Sequence, residues 1–350
     1  MAKKPKIEFF RINLESIGND EQTFRTVINE LFLNHQQSLP EEQRLDSEAD
    51  DNDLMKYLFQ YFISRLDNGS VKNESKRKAF KIKASTDNQI NDSIGLKSEE
   101  KIIHGIVKGG EYDTGKNLSE IDNPEEEAEK LGRNKLITDD FYFLLYTPLE
   151  KTKGILILQS YTKDAIFDIF VPFIENLFKV SKLTNKATHS LFMPLTMQEE
   201  FKNSSVIKSF VYKNHFVVDD VEDQTLQSGD FTVNVEIKSH GDQINLENLS
   251  WWRRKLGQAI LGMPNQEKRS LETFNTQRGY IQSNEGESNP TKFELQAENI
   301  QITATIYLSN HINLEENGVP YWEELEQFSM EILINDVLPE MYPEDYLNED

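Results

Sequence analysis

The densest run of apolar residues along the chain lies at residues 141–178. Residues 141–146 and 154–161 are two apolar segments of strand length joined by a polar loop, which predicts an antiparallel hairpin. Apolar residues then recur at helical spacing up to residue 178, so a helix should cover the hairpin. Pro172 falls inside this helix and should either kink it or divide it. We expect the hairpin and the helix to form the core of the N-terminal half.

Shorter periodic patterns predict the elements around this hairpin. Residues 6–14 and 101–107 look like strands, and residues 79–83 alternate like a half-buried strand. Apolar residues recur at helical spacing in residues 24–35, capped by Asn19, and in residues 53–66, capped by Asp53 and closed by Gly69. Residues 122–127 combine a cap, a proline and acidic side chains, which predicts a short helix that Gly132 closes.

The pattern after residue 180 indicates a second folded region. Residues 181–190 are polar and lack periodicity, so we place a boundary there and expect domains at residues 1–183 and 184–350. Strands are predicted at residues 206–218, 231–239, 293–297 and 300–308, and helices at residues 246–261 and from Pro320 onward. No regular βαβ alternation occurs. The expected fold is therefore α+β, with two domains that are each a mostly antiparallel sheet packed by a few helices.

Composition narrows the class of protein. The chain has no cysteine, which excludes disulfides, thiolate metal sites and a cysteine nucleophile. The N-terminus leads into a strand-like segment and not into an apolar signal, and no run approaches the roughly 18 apolar residues of a membrane helix. We therefore expect a soluble, cytoplasmic protein that does not contact a membrane.

The negative charge is concentrated at the C-terminal end. The net charge is −22, and 14 acidic residues but no Lys or Arg follow Lys292. A surface of this kind repels phosphate and membrane headgroups and suits a partner that carries a basic patch. Solubility alone would also explain it.

One segment comes close to a phosphate-binding loop. Gly110, Gly115 and Lys116 match the pattern G-x-x-x-x-G-K-[ST], but Asn117 stands where a Mg²⁺-binding hydroxyl is needed. Glu111 and a neighbouring aspartate also place negative charge where phosphates would lie. A glycine-rich turn between strands is the preferred interpretation.

A Glu-x-Lys pair on a predicted strand is the second candidate. Alternation puts Glu236 and Lys238 on one face, and Asp219, Asp220 or Asp230 could supply a further carboxylate. Metal-dependent nucleases use carboxylates to hold Mg²⁺ and a lysine to steady the attacking water or the developing charge. The alternative is the solvent face of a sheet on which Glu236 and Lys238 pair.

Aromatic and basic residues meet in a predicted helix. Trp251, Arg253, Arg254 and Lys255 could hold a single-stranded nucleic acid by stacking and by cationic contacts. These residues span more than one turn, so they cannot all share a face. One tryptophan in the core, with the arginines paired to acids, is the alternative. Residues 72–83 form a second basic stretch, which could likewise contact nucleic acid.

The segment Gly154-Ile-Leu-Ile-Leu-Gln159, followed by an apolar helix and preceded by a turn at Gly109 and Gly110, carries a resemblance. Residues 100–180 resemble uncharacterised bacterial proteins that are often found near phage-defence genes. The resemblance lies in scaffold positions. It implies a role in antiviral defence and identifies neither an activity nor a functional residue.

The leading hypothesis is a non-catalytic protein-interaction component of a bacterial system, with antiviral defence as its setting. It predicts a protein partner or a homo-oligomer and needs no cofactor. The first alternative is a Mg²⁺-dependent nuclease that uses Glu236, Lys238, Asp220 and Asp230. The second is an acidic mimic of nucleic acid that binds a basic protein.

Overall fold

The computed structural model describes residues 4–15, 22–40, 42, 49–67, 70–82, 93–114, 117–118, 129–130, 135–162, 164–179, 186–203, 205–219, 228–240, 251, 255, 274–283, 291–294 and 306–346 of the chain. Contacts divide the chain into two compact units. The first comprises Met1–Phe192 and Ile306–Ile332, and the second comprises Met193–Thr305 and Leu333–Asp350. Helices and antiparallel sheets are mixed, so the predicted α+β fold class is confirmed.

The strands are β1 Pro5–Glu15, β2 Val71–Asn73, β3 Lys78–Ile82, β4 Ile94–Lys97, β5 Ile102–Tyr112, β6 Asn117–Leu118, β7 Glu129–Lys130, β8 Leu136–Tyr146, β9 Lys153–Tyr161, β10 Lys186–Phe192, β11 Ser205–Asp219, β12 Ser228–Lys238, β13 Thr276–Ser283, β14 Thr291–Glu294 and β15 Ile306–Tyr307. The α-helices are α1 Phe24–Ser38, α2 Asp51–Asp67, α3 Phe167–Leu177, α4 Leu195–Asn203, α5 Trp322–Ile332, α6 Leu338–Met341 and α7 Pro343–Tyr346. A 3₁₀ turn spans Leu308–Asn310, and a π-helical turn spans Leu333–Val337.

A large antiparallel sheet organises the first unit. Its strand order is β10-β1-β9-β8-β5-β3-β2, while β15 also pairs with β1 and β4 also pairs with β5. The predicted hairpin is the pair β8–β9, which lies at the centre of this order. Gln159 closes one end of the pairing, because its buried side-chain oxygen accepts a hydrogen bond from the amide of Tyr142 at 3.2 Å.

The core of the first unit lies where α1, α2 and α3 pack on the sheet. Phe143 of β8 stacks on Phe62 of α2 at 5.4 Å between ring centroids and contacts Phe170 of α3 at 5.1 Å. Tyr142 and Leu144, whose side chains alternate to the other face of β8, are buried as well. Both faces of the central hairpin are therefore covered. This confirms the prediction that the hairpin and α3 organise the core.

The N-terminal caps of α1 and α2 differ from those predicted from the sequence. Thr23, rather than Asn19, caps α1, because the Thr23 hydroxyl accepts from the amide of Thr26 at 3.3 Å; Asn19 lies outside the described residues. At α2 the cap is Asp50, which accepts from the amide of Asp53 at 2.8 Å, so Asp53 is the third helical residue and not the cap. Both cases follow the usual preference for a short oxygen-bearing side chain immediately before a helix.

Pro172 lies inside α3 without dividing it. The helix is continuous from Phe167 to Leu177. The side-chain amide of Asn176 donates to the carbonyl of Pro172 at 2.8 Å. Of the two expected effects of Pro172, a kink or a division of the helix, the division is therefore excluded.

Two further segments differ from the sequence prediction. Glu129–Lys130 lies in β7, which pairs with β6, so the helix expected up to Gly132 is wrong at these residues; residues 119–128 lie outside the description. Residues 186–190, in the stretch considered a polar boundary, belong to β10. β10 is at the end of the strand order, and only Ala187 and Phe192 are buried among its described side chains, so its sequence shows little apolar periodicity.

The second unit contains a smaller antiparallel sheet with the order β12-β11-β13-β14. Phe210 and Tyr212 of β11 are buried, together with Ile281 and Phe293. Two acids from residues 333–350 contact the start of α4. Glu340 caps the helix by accepting from the amide of Leu195 at 2.7 Å, and Asp336 accepts from the hydroxyl of Thr196 at 2.7 Å. Part of the C-terminal acidity therefore has a structural role.

No helix within the described ranges combines the length and the apolar character that a membrane crossing requires.

Candidate functional site

The predicted Glu-x-Lys pair lies on an exposed face of β12. Glu236 and Lys238 share that face, and the Lys238 ammonium lies 3.5 Å from the Glu236 carboxylate. Asp230 lies on the same strand and binds the imidazole of His215 at 2.9 Å. Asp230 and Glu236 are six positions apart on an extended strand, which is about 20 Å. These two carboxylates therefore cannot bind one metal ion, and Asp220 lies outside the described residues.

No group of three or more His, Asp or Glu side chains in the described part of the chain is arranged to hold a metal ion.

The aromatic and basic cluster is described at two positions. Trp251 and Lys255 are helical and exposed, and the Lys255 ammonium lies 5.9 Å from the centre of the Trp251 ring. This distance is within the range of a cation–π interaction. Arg253 and Arg254 lie outside the described residues.

Gly110, the first glycine of the segment that resembles a phosphate-binding loop, allows two strands of the sheet to pack closely. Gly110 lies in β5 with a φ of 158°, and a Cβ atom there would lie 1.9 Å from the carbonyl oxygen of Ile137 on β8. Close packing of two strands therefore requires this glycine. Gly115 and Lys116 lie outside the described residues.

The structure reveals a cavity that the sequence did not indicate. We call it the His104 cavity; its volume is about 240 Å³, and α5 and the β4–β5 pair form its walls. The side chains that give it chemical character are His104, Tyr142, Trp322, Glu323 and Glu326. Tyr142 comes from β8, so three separate parts of the first unit supply these groups.

Glycines position the imidazole of His104. Gly95 is opposite His104 in the β4–β5 register, and a Cβ atom at Gly95 would lie 2.8 Å from His104 Nε2. The imidazole can therefore lie against the backbone of β4. The next pair of the register is Ile94 with Gly105, whose φ of 153° is accessible to glycine and rarely to other residues.

Glu326 links the charged groups of the cavity. Its carboxylate lies 2.8 Å from the Lys97 ammonium and 3.5 Å from His104 Nδ1. Burial lowers the pKa of His104, the attraction of Glu326 opposes this, and the repulsion of Lys97 adds to it. The imidazole is consequently neutral near pH 7, and Lys97 is the positively charged partner of Glu326.

Two buried hydroxyl groups lie on the α5 side of the sheet. Burial raises the pKa of Tyr142, and the negative charge of Glu326 raises it further. The buried hydroxyl of Ser329 is close enough to Tyr142 to oppose this rise in the pKa. Tyr142 therefore remains a neutral phenol.

Replacing His104 by glutamine should make the first unit less sensitive to acid. The native pKa of His104 lies below its unfolded value of about 6.5. The unfolded chain thus binds the proton more readily, and the free energy of unfolding decreases as the pH falls below about 6.5, until the native imidazole is protonated too. Chemical denaturation of both proteins across this pH range measures the effect. An identical pH dependence would contradict the burial of a neutral imidazole.

Comparison with known proteins gives no relative for this chain: no family model, curated protein or solved structure matches it.

Proposed function

We propose that this chain is a protein-interaction component that binds a positively charged segment of a partner through α5 and the His104 cavity. The observation that carries the proposal is the composition of the cavity wall. Trp322, Glu323 and Glu326 combine one aromatic and two carboxylate side chains beside a recess of about 240 Å³.

Such a wall suits the side chain of a lysine or an arginine. A cation gains from the face of an aromatic ring and from a carboxylate at the same place. The contact between Lys97 and Glu326 at 2.8 Å is an example of ammonium binding by this carboxylate. Because His104 is neutral, it does not repel an incoming cation.

The exposed face of α5 continues the negatively charged surface beyond the cavity. Leu325, Ser329 and Ile332 are buried, whereas Glu323 and Glu331 are exposed two turns apart. No Lys or Arg follows Lys292 in the chain, so the closing segment contributes no positive charge to compensate. A negative surface of this kind increases the rate of encounter with a basic partner.

The antiviral setting of this proposal rests on the resemblance of residues 100–180 to bacterial proteins found near phage-defence genes. β5, β8, β9 and α3, which carry that resemblance, belong to the same unit as α5. The binding proposal rests on the cavity and on α5 and does not depend on the setting.

Replacing Glu323 and Glu331 by glutamine should weaken the complex with a partner. Affinity capture at low salt identifies the partner, and titration with the purified partner then measures the dissociation constant. Loss of two exposed carboxylates should raise this constant about tenfold. The matched control is Glu99→Gln with Glu100→Gln, which removes two exposed charges from the turn between β4 and β5.

Three results would contradict the proposal. The first is a capture that recovers neither a partner nor a second copy of the chain. The second is a complex whose affinity does not change with salt, since binding between charged surfaces is screened. The third is an equal loss of affinity in the control variant, which would show that only the total charge matters.

A further inference from the structure

A basic groove lies in the first unit between the β2–β3 hairpin, the C-terminal end of α2 and α3. Its volume is about 430 Å³. The polar side chains that line it are Arg65, Lys72, Asn73, Asp168 and Asn176, and we call it the hairpin groove. It shares no residue with the His104 cavity.

The lysines next to the groove have a structural role. Lys76 and Lys78 each lie 3.3 Å from the carboxylate of Asp168. Lys78 also donates to the carbonyl of Ala165 at 2.8 Å, immediately before α3. These contacts fasten the hairpin to the start of α3. Asp168 is the acid in the lining, and two lysines already share it.

Arg65 and Lys72 have no such role. Both side chains line the groove and are exposed, and neither makes an ion pair or a hydrogen bond among the described residues. The chain as a whole has a net charge of −22, so cations are scarce and acids are available to neutralise them. Arg65 and Lys72 therefore make this recess locally positive on a protein whose net charge is negative.

The groove has the donors that a phosphate group requires. An arginine offers a planar fork of N–H groups that matches phosphate oxygens, and a lysine adds a mobile positive charge. The remaining lining is apolar, with Ile169, Pro172 and Phe173 of α3. A recess of this size holds the phosphate together with part of the organic group that carries it.

We infer that the hairpin groove binds the phosphate group of a ligand, with Arg65 and Lys72 as its cationic contacts. The phosphate could belong to a mononucleotide or to a nucleic-acid strand, which present the same chemistry to the two cations. The inference goes beyond the proposed binding of a basic partner, because the ligand has the opposite charge and the residues are different.

Replacing Arg65 and Lys72 by glutamine tests the inference. Adenosine monophosphate and a fluorescent oligothymidylate are titrated separately against the wild-type protein and the variant at physiological salt. Loss of both charge-assisted contacts should weaken binding at least about tenfold. The matched control is Lys56→Gln with Lys153→Gln, which removes two exposed positive charges of the first unit that do not line the groove and should change affinity less than about twofold.

The two titrations distinguish the sources of the phosphate. Binding of the mononucleotide supports a small ligand, and binding of the oligothymidylate alone supports a strand; either result agrees with the inference if the groove variant loses it. Absence of binding to both ligands would overturn it, as would an equal loss in the control. Equal binding of an acidic peptide of matched charge would also overturn it and would point to a protein ligand.

Discussion

Leu156→Asp should abolish folding of the first unit. Leu156 is fully buried in β9, between Phe10 of β1 and Leu145 of β8 in the register of the sheet. The substitution loses about 2–3 kcal/mol of apolar burial. It also places a carboxylate without a partner in the core, which costs several kcal/mol more or forces the group to take up a proton. Domains are typically stable by only about 5–15 kcal/mol.

The same substitution at an exposed leucine is the control. Leu33 of α1 is 49% exposed, so Leu33→Asp removes little burial and should leave the fold intact. Circular dichroism and limited proteolysis of both variants measure the outcome. A soluble Leu156→Asp protein with the wild-type unfolding midpoint would show that the central hairpin is not the core.

Gly105→Ala should be the most damaging single-methyl change near the His104 cavity. A Cβ atom at Gly105 would lie 2.2 Å from the carbonyl oxygen of Ser93 and 2.6 Å from the Cα atom of Ile94. Both are backbone atoms of the paired segment, so the strands must separate. The positive φ adds about 1–3 kcal/mol of strain for a residue other than glycine. We expect a total loss of about 3 kcal/mol or more, measured as a lower free energy of unfolding.

Gly95→Ala is the matched control on the opposing strand. A Cβ atom there would lie 2.8 Å from His104 Nε2, which is a side-chain atom that can move. This variant should therefore unfold at nearly the wild-type denaturant concentration, while the displaced imidazole shifts its pKa, which nuclear magnetic resonance detects. If both variants lose the same stability, the backbone of β4 and β5 does not pack as closely as the structure shows.

Local patterns were sufficient to identify the central elements. Alternation and helical spacing predicted the hairpin β8–β9 and helices α1, α2 and α3, because each buries one apolar face or stripe that repeats along the chain. The two-residue strand β7 was missed because it is too short to show a period, and β10 was missed because only Ala187 and Phe192 are buried among its described side chains.

The candidate chemistry shows the same limit. The two-residue alternation of a strand correctly predicted that Glu236 and Lys238 lie on the same face. The distance from Asp230 to Glu236 became clear only when β12 proved to be one continuous strand from Ser228 to Lys238. His104 and Glu326 carry no common motif. The sequence signal that could have pointed to this cavity is Gly105, because an isolated glycine within a strand often marks a close approach of two backbones.

The sequence alone determined the fold class, the central hairpin with its covering helix, and the concentration of acid after Lys292. Each of these follows from the order and type of neighbouring residues. Tertiary structure alone decided that α5 belongs with the first unit, that Glu326 lies 2.8 Å from Lys97, and that Arg65 and Lys72 line one groove. Such contacts join residues that are distant along the chain. They depend on strand pairing and packing, which hydrophobic periodicity does not encode.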